Sequence, residues 1–194
     1  MNSIIKNLLS ETIVDKLSNS LGTNSEQTKS AMEGLLPAIL GGLAKNTAKK
    51  EGADLLGKVL KDHDGSILDN LDGFLGNISA GKGTKILGHV LGGKTSEIGK
   101  MVGEKSGLGE GMTGKLMEML APMVMGAVGK EAKSSGIGSD MLSGLLKGSM
   151  KDVLKEGKID YMAVATMFLD KDGDGDIKDD LMDMGKKYLK KFMS

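Results

Sequence analysis

From Ile4 onward the apolar residues recur at steps of three and four. Ile4, Ile5, Leu8, Leu9, Ile13, Val14, Leu17 and Leu21 form one stripe, which predicts an amphipathic helix over 2–21, in one or two pieces. Gly22 follows as a stop. Thr23, Asn24 and Ser25 offer N-caps for the next helix, with Glu26 in its first turn. That helix carries Met32, Leu35 and Leu36, is kinked or restarted at Pro37, and runs on through Ile39, Leu40 and Leu43. Leu55, Leu56, Val59 and Leu60 predict a helix over 53–61. Asp62–Leu71 reads as a turn into a short helix that ends near Phe74–Gly76.

The Gly- and Ser-containing stretch 77–83 is the central linker. Beyond it, helices are predicted over 84–91 and from a cap at Thr95 or Ser96 through Ile98, Met101 and Val102. Others follow over 112–132 with an interruption at Pro122, then over 139–154, 158–169 and 179–193. No stretch alternates apolar and polar residues as a half-buried strand does, so the expected class is all-α. Each glycine inside a helix costs about 1 kcal/mol relative to alanine. Gly41, Gly42, Gly88, Gly126 and Gly129 are therefore expected where helices cross closely.

Two stretches repeat in one register. Met32-Glu33-Gly34-Leu35-Leu36-Pro37 through Gly41 to Lys45 matches Met117-Glu118-Met119-Leu120-Ala121-Pro122 through Gly126 to Lys130. The same offset pairs Ile13 with Ile98, Leu17 with Val102 and Gly22 with Gly107. The acidic stretch Asp62–Leu71 also echoes Asp172–Leu181, with about 25 extra residues between proline and loop in the second copy. The expectation is a multihelical array built from two duplicated halves, 1–80 and 81–194.

Composition narrows the chemistry. Only 3% of residues are aromatic, and there are 15 methionines, so aliphatic side chains and adaptable Met must fill the core. The 26 basic residues, all Lys, balance 26 acidic ones. Without Arg, and with few aromatics to stack on bases, sequence-specific nucleic-acid binding is not expected. The chain has no cysteine, which excludes thiol catalysis, disulfides and Cys-ligated zinc. No signal peptide or transmembrane span is read, which gives a cytoplasmic expectation and leaves a signal-independent export route open.

One stretch implies a definite chemistry. Asp170, Asp172 and Asp174 stand at positions one, three and five of an EF-hand-like loop, Gly175 at the turn, and Ile177 at position eight. The Asp176 carbonyl can ligate at position seven, and hard oxygen donors in this number suit Ca²⁺ better than zinc. Leu181 replaces the usual bidentate Glu at position twelve, so Asp179 or Asp180 has to supply the last ligand. The competing reading is a solvated acidic helix cap. In the first-half copy Leu60 stands where Asp170 does, and Asn70 where Asp180 does. Asp62, Asp64 and Asp69 remain, with His63 among them, and this copy reads as a degenerate loop serving as turn and helix cap.

Other candidates are weaker. Gly76–Gly83 approaches a phosphate-binding loop, but no strand precedes it and Gly83 stands where Ser or Thr is required. His89 lies in an apolar helix, and Glu33 and Glu118 occupy equivalent sites beside the prolines. Nothing assembles a nucleophile, base and orienting group, so an enzyme is not expected. The last predicted helix carries Lys186, Lys187, Lys190 and Lys191 against Leu181, Met184, Tyr188 and Phe192. It reads as a basic turn matched to the helix dipole, or else as an interfacial helix.

Ile86–Lys94, Leu120–Gly126 and the final Asp-Gly-Asp-Gly loop with Asp179 and Asp180 together resemble the YidB-like family of bacterial proteins of unknown function. The resemblance implies a multihelical protein and brings no activity. The expectation is therefore a non-enzymatic, calcium-binding helical module that acts through a protein partner or a homo-oligomer. The alternative is a membrane-surface protein using the basic final helix.

Overall fold

Gly22 closes the first run of the chain at φ 67°, in the left-handed region where glycine carries no side-chain strain. The N–H groups of Gly22 and Thr23 turn back onto the carbonyls of Asn19 and Ser18, a Schellman closure. Asn24 opens the next helix by accepting the N–H groups of Glu26 and Gln27 at 2.8 and 3.3 Å. The computed structural model describes residues 3–77 and 81–156. In it the expected run over 2–21 is two helices, α1 (Ser3–Leu8) and α2 (Glu11–Leu21), parted at the extended Ser10.

The remaining elements are α3 (Ser25–Asn46), α4 (Lys50–Leu60), α5 (Ser66–Asp69), α6 (Leu71–Gly76), α7 (Lys82–Val90), α8 (Thr95–Ser106), α9 (Glu110–Ser134) and α10 (Leu142–Glu156). Single 3₁₀ turns lie at Gly92–Lys94 and Ser139–Met141. Among the described residues there is no strand, so the chain is all-helical there, and no helix is long and apolar enough to cross a membrane. The helices predicted over 158–169 and 179–193 lie outside the described residues.

The frame is set by α3 and α9. Each is buried around its whole circumference, α3 from Gly34 to Ala44 and α9 from Met119 to Gly129. A helix apolar on all sides belongs in the middle of a fold, with amphipathic helices around it. α10, α8 and α2 lie along α3, while α8, α7, α1 and α5 lie along α9. The buried apolar side chains form one cluster that draws on both halves of the sequence, from Ile4 and Leu17 to Val102 and Leu146.

Both prolines sit inside continuous helices, so the chain does not restart at Pro37 and is not interrupted at Pro122. Proline removes one donor and crowds the carbonyl four residues earlier. For Pro122 that carbonyl belongs to Glu118, and the backbone of Gly83 in α7 lies against it. A Cβ at Gly83 would overlap the Glu118 carbonyl. Full burial holds the rest of each helix in place. The expected cap at Thr95 also differs: its Oγ1 donates back to the Gly92 carbonyl at 2.9 Å, and no side chain caps α8.

The glycines sort by their neighbours. Gly42 meets the Val90 carbonyl and Gly126 meets Ile67, close helix crossings as expected, while Gly129 meets the carbonyl of His63 in the loop after α4. Gly88 is exposed with nothing within 4 Å of where a Cβ would stand. It is not a crossing point; on α7 that place is taken by Gly83.

Candidate functional site

The described acidic loop begins where α4 ends. The N–H groups of Lys61, Asp62 and His63 turn back three residues each, onto the carbonyls of Lys58, Val59 and Leu60. His63 Nδ1 lies 2.9 Å from the Val59 carbonyl. Gly65 then adopts φ 92°, a conformation open to glycine, which lets Asp64 swing over the start of α5. Asp64 accepts the Ser66 N–H at 3.0 Å. That bond lowers the Asp64 pKa from its ordinary value, first through the Ser66 backbone, then through the Ser66 side chain, with the charge of Lys133 adding to it.

The turn is seated on α9. Gly126 accommodates Ile67, Gly129 accommodates the His63 carbonyl, and the Lys130 stem lies over Gly65. Lys130 Nζ then donates to Asp69 Oδ1 at 2.7 Å, stapling the far side of the loop. Asn70 accepts the Gly73 N–H at 3.2 Å and starts α6, while Asp72 pairs with Lys16 at 2.6 Å. Leu60, which stands where the second loop has Asp170, is buried in the core. The loop is a turn and a helix cap. Among the described residues no three His, Asp or Glu side chains come together as a metal site.

The second loop, with Asp170, Asp172, Asp174, Asp176, Asp179 and Asp180, lies outside the described residues, as do Lys186, Lys187, Lys190 and Lys191. Of the remaining candidates, Glu118 is half-buried and accepts the Thr84 hydroxyl at 2.8 Å, a structural link between α7 and α9. Glu33 is half-buried on α3, and His89 is exposed, its carbonyl accepting Asn46 Nδ2 at 2.8 Å. In the phosphate-loop-like stretch Gly83 is committed to the helix crossing, and Lys82 opens α7.

Two hollows flank the docked loop. The smaller, about 210 Å³, is lined by His63, Ser66, Phe74, Lys82 and Glu118 among others. The larger, about 650 Å³, lies between α4, the end of α9 and the turn into α10. Leu60, Ala132, Ile137 and Leu142 give it an apolar floor, and Asp54, Lys58, Lys61, Asp64 and Lys133 its polar rim. Ser139 Oγ donates to Asp54 Oδ1 at 2.6 Å, tying that rim to α4. This cleft was not anticipated from the sequence. Its one local sign is the spacing of Asp54 and Lys58 on one face of α4, with Lys61 just past its end.

A family model described as a bacterial protein of unknown function, DUF937, matches residues 3–131. The chain belongs to that family. The DUF937 match runs from α1 almost to the end of α9, so it contains the docked loop and both proline helices. It covers two of the three stretches that carry the YidB-like resemblance, Ile86–Lys94 and Leu120–Gly126, and stops before the third. Comparison with curated proteins and with solved structures finds no match.

Proposed function

We propose that this DUF937 protein is a non-catalytic helical module, stabilised by calcium, that works by association with itself or with another protein. The observation that carries this reading is the use made of the first acidic loop. It is a tether, with Asp64 capping α5, Ile67 seated at Gly126 and Lys130 holding Asp69. The stretch 170–180 carries the same frame with more carboxylates.

The donor set fits a hard cation. Asp170, Asp172 and Asp174, the carbonyl of Asp176, and Asp179 or Asp180 offer oxygen ligands in the alternation that Ca²⁺ accepts. Bound calcium supplies the positive charge that lets so many carboxylates share one turn.

Duplication supports treating the two loops as counterparts. Thr28 and Thr113 share the register of the two prolines, and both are fully buried. Their hydroxyls make the same bond, to the carbonyls of Asn24 and Gly109 at 2.9 and 2.7 Å. Gly22 and Gly107, also in register, both end their helices in the left-handed region. With the first copy structural, the second is read as a structural tether rather than a sensor.

Association is supported by α4, where Leu55 and Val59 lie one turn apart on one face, 64% and 39% exposed. The test of the metal reading is calorimetric titration of Ca²⁺ into the full chain, with melting recorded with and without a chelator. Absence of both heat and a melting shift would sink it.

A further inference from the structure

The cleft of about 650 Å³ beside the docked loop falls within the size range of small-molecule pockets, roughly 300–1,000 Å³. Its rim carries more lysines than carboxylates. Asp54 accepts the Ser139 hydroxyl, and the exposed Asp64 accepts the Ser66 N–H and lies in the field of Lys133. Lys58, Lys61 and Lys133 form none of the ion pairs made among the described residues. Three lysines and two carboxylates thus rim an apolar floor made by Leu60, Ala132, Ile137 and Leu142, leaving an excess of positive charge. A ligand that matches both features carries an anionic head and a hydrocarbon body. A compact inorganic anion would leave the floor wet, and a neutral hydrocarbon would make no use of the rim's excess of positive charge.

We infer that this cleft is a binding site for a small organic anion with an apolar body, of the medium-chain carboxylate class. The carboxylate meets Lys58, Lys61 and Lys133, and the chain lies on Ala132 and Leu142. The site draws on both α4, inside the DUF937 match, and the 132–142 segment beyond it.

The experiment is calorimetric titration of the full chain with decanoate, 1-decanol and inorganic phosphate. Decanoate is expected to bind saturably, and the other two at least about tenfold more weakly. The variant Lys58→Gln/Lys61→Gln/Lys133→Gln is expected to lose about tenfold for decanoate and little for decanol. Ala132→Leu, which narrows the floor without touching a charge, is expected to weaken decanoate and leave helical content unchanged by circular dichroism. A control, Lys186→Gln/Lys187→Gln/Lys190→Gln, is expected to bind like the parent. No decanoate binding, equal affinity in the triple-glutamine cleft variant, or loss in the control instead would each overturn the assignment.

Discussion

Gly83 lies over the carbonyl of Glu118, the carbonyl that Pro122 leaves without its helical donor. The α7–α9 crossing therefore answers two needs at once. It brings a backbone without a side chain to the one turn of α9 that lacks an N–H, where Cα–H groups can face the oxygen. The Thr84 hydroxyl, one residue on, donates to the Glu118 carboxylate at 2.8 Å and fixes the approach. Gly83→Ala would put a methyl group into the Glu118 backbone, and overpacking of this kind costs about 1–3 kcal/mol. Gly88→Ala, at an exposed helical site with open space, is expected to gain about 0.5–1 kcal/mol. Urea denaturation of the two variants tests the crossing, and equal effects in either direction would contradict it.

The same logic applies to Gly129, where a Cβ would overlap the His63 carbonyl. Gly129→Ala is expected to lift the acidic loop from α9 and to destabilise by about 1–3 kcal/mol. Amide exchange at Asp64–Asp69 should rise in this variant before exchange in α3 does. Uniform loss of protection across α3 and α9 would mean that the loop is not a separately docked unit.

Much of this frame can be read from the sequence, for local reasons. Gly22 and Asn24 act as stop and cap because both jobs depend on a residue's own backbone and side chain. At Pro122 the α9 helix continues against a partner from elsewhere, Gly83, and both proline helices are buried by their surroundings. The crossing glycine of α7 is Gly83 rather than Gly88, for a reason the helical period carries. Gly83 shares one face of α7 with the buried Leu87 and Val90, whereas Gly88 is off it. The cleft is the least legible feature, since Lys133 and Ser139 join Asp54 and Lys58 only through the packing of α9 and α10 on α4.

Acid should weaken the loop in a defined window. The folded Asp64 pKa is lowered by its bond to Ser66, so the carboxylate stabilises the folded state above the unfolded value of 3.8. That contribution falls as the pH drops from 3.8 towards the lower folded value and is absent below it. The stability difference between the parent and Asp64→Ala should accordingly be constant near neutrality and shrink in acid. A difference that grows on acidification would contradict the cap.

The proposed calcium tether makes a contrast between the two loops. Asp172→Asn/Asp174→Asn should abolish the rise in melting temperature on adding Ca²⁺, whereas Asp62→Asn should leave it intact. For the parent, calcium at a hundredfold excess over its dissociation constant is worth about 2.7 kcal/mol of stability. A calcium-dependent shift that survives in the 172/174 variant would move the ion to other ligands.

Association should run through the outer face of α4. Leu55 and Val59 are 64% and 39% exposed, while their neighbours Leu56 and Leu60 are in the core. Polar substitution at Leu55 and Val59 therefore leaves the core untouched, and surface changes of this kind alter stability by about 0.5 kcal/mol or less. The cleft-lining Asp54 and Lys58 lie on a different side of the helix and Lys61 follows its end, so ligand binding and association can be tested separately. Leu55→Lys/Val59→Lys is expected to shift the chain from a larger species to monomer in light scattering, with unchanged melting and unchanged decanoate affinity. A parent that is monomeric at high concentration, or a variant of the same size as an oligomeric parent, would remove α4 from the interface.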